Sequence, residues 1–323
     1  MLNVLITGVP GWLGNTFLKL ALKDKNLNVR CLVKHGMDTS SIPRKAQIVK
    51  GDVRELYSLL EATRDIDIVF HIAGLIHARP KDLYAVNYYG TLNMLEASYR
   101  AGVSRFVYIS SNAAAGYTKD RILMTEGHVC NPYMSYGKSK FLAEQAVLGY
   151  INDNKLRGVI LRPCMYYGST PPPRHIKLYR MISKGRPIIV GDGMNIRSLT
   201  YVGSLCEVMH SLCYVEPPSN LYWIADKRPY TTIELYRTIA DALNVECSPV
   251  YIPSLFGKMC RALDRTLQSI GLYSTHIHVL GEMPLNIACS VEKAIKELDF
   301  NPRESLEEGI KESIRWCKLH GYL

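Results

Sequence analysis

The chain has 323 residues, 47% hydrophobic and 21% charged, a balance that suits a soluble globular protein with one large α/β unit or two lobes with separate cores. No apolar run reaches the roughly 18 residues of a membrane-spanning helix, and the start MLNVLITG lacks the pattern of a secretory leader, so a cytoplasmic protein is expected. The formal net charge of +10 is spread along the chain without basic arms or a nucleic-acid-binding signature, which points to a phosphate-rich small molecule as partner and not to nucleic acid.

The first half alternates short β-rich runs with helical periodicity. Strands are expected at Val4–Thr7, Val29–Val33, Ile48–Val49, Ile68–His71, Phe106–Ile109 and Val159–Leu161, with helices over Trp12–Leu22, Val86–Arg100 and Met134–Tyr150. Such alternation implies an α/β fold, a Rossmann-type doubly wound parallel sheet. Between the first strand and first helix lies Thr7-Gly8-Val9-Pro10-Gly11-Trp12-Leu13-Gly14. Gly8, Gly11 and Gly14 there permit a tight turn, close approach of backbone to a pyrophosphate, and packing of helix on strand. Trp12 and Leu13 carry the free N–H groups of the helix start, where an anion sits. These residues are expected to bind a dinucleotide.

The second strand ends Cys31-Leu32-Val33-Lys34-His35, without the acidic residue that holds the ribose hydroxyls of NAD. Lys34 offers a cation where a 2′-phosphate would lie, so NADP is expected over NAD; the alternative is a surface lysine at a strand end. After the third strand, Asp52 and Val53 are placed beside the adenine. Ala73 follows the fourth strand and lets backbone lie along the cofactor. Asn87 opens the next helix as either a cap or a cofactor contact.

Ser110-Ser111 stands at the carboxyl end of the strand Phe106–Ile109, the edge at which open parallel sheets bind ligands. Tyr136 and Lys140 follow in Y-x-x-x-K spacing, one turn apart on one helix face. A tyrosine with its usual pKa of about 10 is a poor base at neutral pH, and a nearby ammonium lowers that value. Tyr136 can then exchange a proton with a substrate oxygen while hydride moves to or from a nicotinamide. Lys140 can hold the cofactor ribose.

The second half is less regular. Pro171–Pro173 breaks the pattern before a basic helix at His175–Lys184, Leu221–Ala225 reads as a strand returning to the main sheet, and helical periodicity dominates from Thr231. The expected division is a dinucleotide-binding unit over 1–168, joined by 198–226, and a smaller, mostly helical substrate lobe from 169–197 and 227–323. Phe256–Gly271 mixes Phe256, Met259, Leu263 and Leu267 with Lys258, Arg261 and Arg265. Inward packing in the substrate lobe is the preferred reading, and a helix resting on a membrane the other. Nine cysteines are scattered singly without C-x-x-C spacing, which suits reduced core thiols and no metal site.

Taken together, TGVPGWLG, GDV, HIAG, VNYYGT, FVYISSNAAAG, YGKSK, LRPCMYYG and KAIKELDFNPRESLEEGIKESIRW make the chain resemble the extended short-chain dehydrogenase/reductases, also called the NAD-dependent epimerase/dehydratase family. The resemblance covers nearly the whole length. It implies Ser111, Tyr136 and Lys140 as catalytic residues, Pro163 and Cys164 beside the nicotinamide, and a homodimer formed through two long helices. Met165 stands where sugar-nucleotide enzymes of the family often hold asparagine, which suits an apolar substrate as in the 3β-hydroxysteroid dehydrogenase and dihydroflavonol reductase branches. Arg197 stands where the sugar enzymes place a phosphate-binding arginine, and Arg174, His175 and Lys177 add further cations. Asn112-Ala113 carries no acid beside the serine, which argues against dehydration. The leading expectation is an oxidoreductase interconverting a secondary alcohol and a ketone, the alternative a sugar-nucleotide 4-epimerase or 4-reductase. A non-catalytic dinucleotide sensor is the third reading, disfavoured by the intact Ser111, Tyr136 and Lys140.

Overall fold

In the computed structural model, which describes residues 1–303 and 305–323, the β-branched runs become the strands β1 (Leu2–Ile6), β2 (Leu27–Val33), β3 (Gln47–Lys50), β4 (Ile68–His71), β5 (Arg105–Ile109) and β6 (Gly158–Pro163). A seventh strand, β7 (Leu221–Ile224), returns to pair with β6. The order is β7-β6-β5-β4-β1-β2-β3, every pair parallel. It reverses direction between β1 and β4, the switch point at which such sheets open a ligand crevice.

The strands are apolar on both faces because helices cover both. On one side Val4 and Ile6 pack with Phe17 and Leu18 of the helix Trp12–Ala21 and with Leu205 and Met209 of the helix Val202–Ser211. On the other, Leu5, Val69 and Tyr108 meet Leu59, Leu95, Ala143 and Val147 from the helices Leu56–Ala62, Gly90–Arg100 and Met134–Asn152. Burying each large aliphatic side chain contributes roughly 1.5–3 kcal/mol relative to exposure.

A third core unites Tyr167, Tyr179, Ile182, Ile189, Tyr230, Leu235, Ile239, Ile310 and Ile314 around the helices Pro173–Ile182, Thr232–Leu243 and Glu307–Leu319. Thr231 starts the second of these by a reciprocal cap with Glu234. One stretch assigned by sequence to the smaller lobe belongs elsewhere: Leu285, Ile287, Cys289, Val291, Ala294 and Phe300 are buried in the sheet core with Val4 and Trp223. The reason is the helix Glu292–Leu298, which packs against β7. Seven cysteines are buried and two half-buried, all free.

The helix Ser254–Ser269 reverses the expected inward packing. Gly257, Cys260, Asp264 and Gln268 face the protein, while Leu255, Phe256, Met259 and Leu263 are exposed. Polar bonds fix this orientation: Asp264 is hydrogen-bonded to His278 Nδ1 (2.7 Å) and to Gln268 Nε2 (2.8 Å). Among the described residues no helix is long and apolar enough to cross a membrane.

Candidate active site

The glycine loop forms the crevice floor. Gly8 has φ +80°, and a Cβ on it would lie 2.9 Å from the Ala73 nitrogen, so only glycine lets β1 and β4 converge here. Gly11 caps the helix Trp12–Ala21 with no side-chain cap and no acid in the first turn. The first N–H groups are therefore left for an anionic ligand. Leu13 and Gly14 are buried beneath the loop, and half-buried Trp12 packs edge-on against Tyr166 at 4.5 Å. This cradle fits a pyrophosphate-bearing cofactor. Thr7 fixes it from behind: its hydroxyl accepts from the nitrogens of Ile72 (3.0 Å) and Ala73 (2.9 Å) and meets His71 Nδ1 at 3.0 Å. His71 is bonded again to Thr91 (3.0 Å), and burial pushes its pKa down to about 3, so it is a neutral tie between elements.

The adenine side is more occupied than the sequence suggests. Val53 is buried, but Arg54 engages both carboxylate oxygens of Asp52, at 3.0 Å from Nε and 2.5 Å from Nη2. Lys34 stands 3.9 Å from the same carboxylate with its side chain 60% exposed, open to a further anion. Arg30 points away, bonded to Gln47, Ala62 and Arg64. Asn87 is not a helix cap, because the helix begins earlier, at Pro80, and passes through a π-helical stretch at Tyr84–Tyr89. Its buried amide clamps both backbone groups of Leu75 (2.8 and 2.9 Å) and bonds Ser139 (3.0 Å), joining the loop after β4 to the Met134–Asn152 helix.

Ser111, Tyr136 and Lys140 meet at the carboxyl end of β5. Ser111 caps the short helix Asn112–Ala115, accepting from the Ala113 nitrogen (3.2 Å) and donating to Asn112 Oδ1 (3.1 Å). Gly137 explains how Tyr136 reaches it: a Cβ there would collide with the Ala113 carbonyl, so glycine lets the two segments touch. Ser110 is diverted into the core, donating to Glu144 (2.5 Å), which leaves Ser111 as the serine of the crevice. Burial pushes the Tyr136 phenol up, while the Ser111 hydroxyl and Arg174 pull it down. Lys140 Nζ bonds the Ile109 carbonyl (2.7 Å) and lies 4.3 Å over the Tyr108 ring, and burial lowers its pKa to about 7.

That lysine gives a pH signature. Its folded pKa is depressed from 10.5 to about 7, so the unfolded chain binds more protons between those values, and stability rises with pH across that window. Lys140→Met is expected to stabilise the cofactor-free protein at pH 6 on the order of 5 kcal/mol, with the gain shrinking toward pH 10. Urea unfolding of both proteins at the two pH values measures it; a gain that does not depend on pH contradicts the assignment.

Pro163, expected beside the nicotinamide, is buried at the end of β6, and half-buried Met165, expected on the substrate side, packs against the smaller lobe's core. Arg197 is already partnered, donating to the Glu282 carbonyl (2.6 Å) with a guanidinium nitrogen 3.6 Å from the Glu282 carboxylate. No local pattern announces this pairing, since 85 residues separate the two. Arg174, at the start of the Pro173–Ile182 helix, is half-buried and acts electrostatically on Tyr136, His77 and Glu282. Sequence reading singled it out as a basic residue but could not place it against the tyrosine.

A nucleotide cradle at the switch point, with a serine, a tyrosine and a lysine at its edge, defines the dinucleotide-dependent enzymes of the Rossmann class. The chain belongs to the NAD dependent epimerase/dehydratase family, whose model matches residues 4–220. It is 34% identical to the uncharacterised protein y4nL of Sinorhizobium fredii, over 98% of this chain and 96% of that one. It is 30% identical, over 80% and 77%, to the N-acetyl-α-D-glucosaminyl-diphospho-ditrans,octacis-undecaprenol 4-epimerase of Escherichia coli O157:H7. The fold matches that of a UDP-glucose 4-epimerase from Thermotoga maritima solved with UDP-glucose, with a TM-score of 0.80, 21% identity and 99% of each chain covered. The Escherichia coli relative is a 4-epimerase, and the Thermotoga likeness shows the shared fold.

Proposed function

We propose that this chain is an NAD(P)-dependent 4-epimerase of a diphosphate-linked hexose. The observation that carries the reading is the meeting of Ser111 and Tyr136 at the crevice edge, with the half-buried Arg174 cation beside them and the glycine cradle alongside. The family relationship supports it. A nicotinamide held by the glycine cradle would supply a reversible hydride acceptor. Tyr136 would take the proton of the sugar hydroxyl and return it to the same oxygen once the opposite configuration is formed. Ser111 donates to the same oxygen and stabilises the charge it gains. Lys140 holds the ribose, and Arg174 pairs with the sugar diphosphate, a role that Arg197, bonded to Glu282, is less free to fill. Lys34 favours a cofactor with a 2′-phosphate, because β2 ends without an acid of its own, the ammonium is exposed, and the one carboxylate near it, Asp52 at 3.9 Å, is already held by Arg54.

The test is incubation of the purified chain, without added cofactor, with UDP-glucose, UDP-N-acetylglucosamine and a polyprenyl diphosphate-linked N-acetylglucosamine in deuterated water. Proton NMR is expected to show the C4 epimer of one of them, with no deuterium at C4 because the hydride returns within the site. The cofactor released on denaturation is expected to be NADP; NAD would overturn the role given to Lys34. Consumption of free NADPH with an apolar ketone and no epimerisation would restore the oxidoreductase reading.

A further inference from the structure

The helix Ser254–Ser269 and its partner Thr275–Glu282 form a hairpin whose outer face has an unusual composition. Leu255, Met259 and Leu263 repeat at four-residue spacing and share one stripe with Phe256. Their exposures are 64%, 60%, 49% and 41%. The turn extends the stripe through Ile270 and Leu272, 67% and 53% exposed. A surface helix ordinarily turns such residues inward. Here the inward positions hold Asp264 and Gln268, locked by hydrogen bonds to His278 and to the Ser135 nitrogen (2.9 Å), so the apolar stripe cannot rotate into the core.

The charges of the hairpin are sorted as well. Both of its early cations on the outer side, Lys258 and Arg265, are exposed and lie seven residues apart on the flank of the stripe. Its acids, Asp264 and Glu282, are turned toward His278 and Arg197. The outer face therefore presents apolar side chains beside positive charge and no exposed carboxylate of its own. That is the composition of a helix lying in the interface of an anionic bilayer, apolar side chains among the acyl chains and ammonium and guanidinium groups at the lipid phosphates. A second copy of the same face would set like charges against each other, which disfavours self-association there.

We propose that the hairpin 254–282 docks this protein on the surface of an anionic phospholipid membrane, without spanning it. Gln268 ties the docked helix directly to the residue before Tyr136, so the crevice would open within about one helix diameter, roughly 10–12 Å, of the lipid surface. The inference goes beyond the epimerase reading and does not depend on the sugar.

The test is cosedimentation of the full chain with vesicles of phosphatidylglycerol and phosphatidylcholine in equal parts, and with vesicles of phosphatidylcholine alone. Binding is expected to the anionic vesicles, weaker in 0.5 M salt by screening, roughly tenfold or more weaker for Met259→Glu/Leu263→Glu, and about fivefold weaker for Lys258→Gln. Both positions of the double variant are exposed, and an unchanged thermal midpoint and cofactor affinity would show that it is folded. No binding, equal binding to both vesicle types, or unchanged binding by the folded double variant overturns the proposal. A concentration-dependent dimer that the double variant dissolves, without vesicle binding, overturns it in favour of a second copy.

Discussion

Tyr136→Phe is expected to lower kcat by about 10²–10⁴-fold while leaving the thermal midpoint and cofactor affinity close to those of the unaltered protein. The substitution removes one oxygen from a ring that stays packed at the start of the Met134–Asn152 helix. What disappears is the group that receives and returns the substrate proton, with the Ser111 hydroxyl left to face the substrate oxygen alone. Ser111→Ala is the informative comparison. It deletes an oxyanion donor but keeps the proton carrier, so its loss should be smaller and should not remove the pH dependence of kcat, which tracks the Tyr136 phenol. Rate measurements from pH 6 to 10 on the three proteins decide the matter. Full turnover by Tyr136→Phe would remove the catalytic assignment.

Glu144→Ala is expected to destabilise the fold by about 3–5 kcal/mol. Glu144 and Arg162 have side chains 1% and 3% exposed and are joined by two hydrogen bonds, 2.6 Å from Nη2 and 2.8 Å from Nε. Removing the acid strands a guanidinium, with Cys130 at 3.3 Å and the Trp223 ring at 5.4 Å as its remaining neighbours. Ser110 loses its acceptor at the same time. Because Ser110 precedes Ser111 in the chain, activity should fall further than unfolding alone explains. Glu144 also favours the charged form of Lys140, so its loss should push that lysine's pKa further down. The double replacement Glu144→Leu/Arg162→Met should cost less than Glu144→Ala, since no buried charge is left unpaired. Urea unfolding of both variants separates the two cases, and equal losses would contradict this account of the pair.

Much of the nucleotide half follows from local pattern. The alternation of β-branched runs and helical periodicity carries the parallel α/β class, because strands joined through helices pair in parallel with right-handed crossovers. The glycine loop is equally local, since the turn, the cap and the first helical N–H groups all come from consecutive residues. The strand end marked Ser110-Ser111 and a one-turn spacing marked Tyr136 and Lys140, while the choice of Ser111 came from the family resemblance. By contrast, the burial of Lys140 against the Ile109 carbonyl and the Tyr108 ring was not legible, because both partners lie on β5 about 30 residues away.

The substrate half was harder for a related reason: its side chains are matched across long separations. Arg197 looks like a free phosphate ligand until Glu282 is brought beside it. The helix from Ser254 has the periodicity of a core helix, yet a single buried polar chain, Asp264 with Gln268 and His278, turns its apolar stripe outward. By itself the sequence determined the glycine loop, the strand positions and the parallel class of the sheet, because each rests on neighbours along the chain. Tertiary structure decided which cations remain available and which face of the hairpin meets solvent. Those outcomes depend on partners brought together from 14 to 85 residues apart, whose burial and pairing no local pattern records.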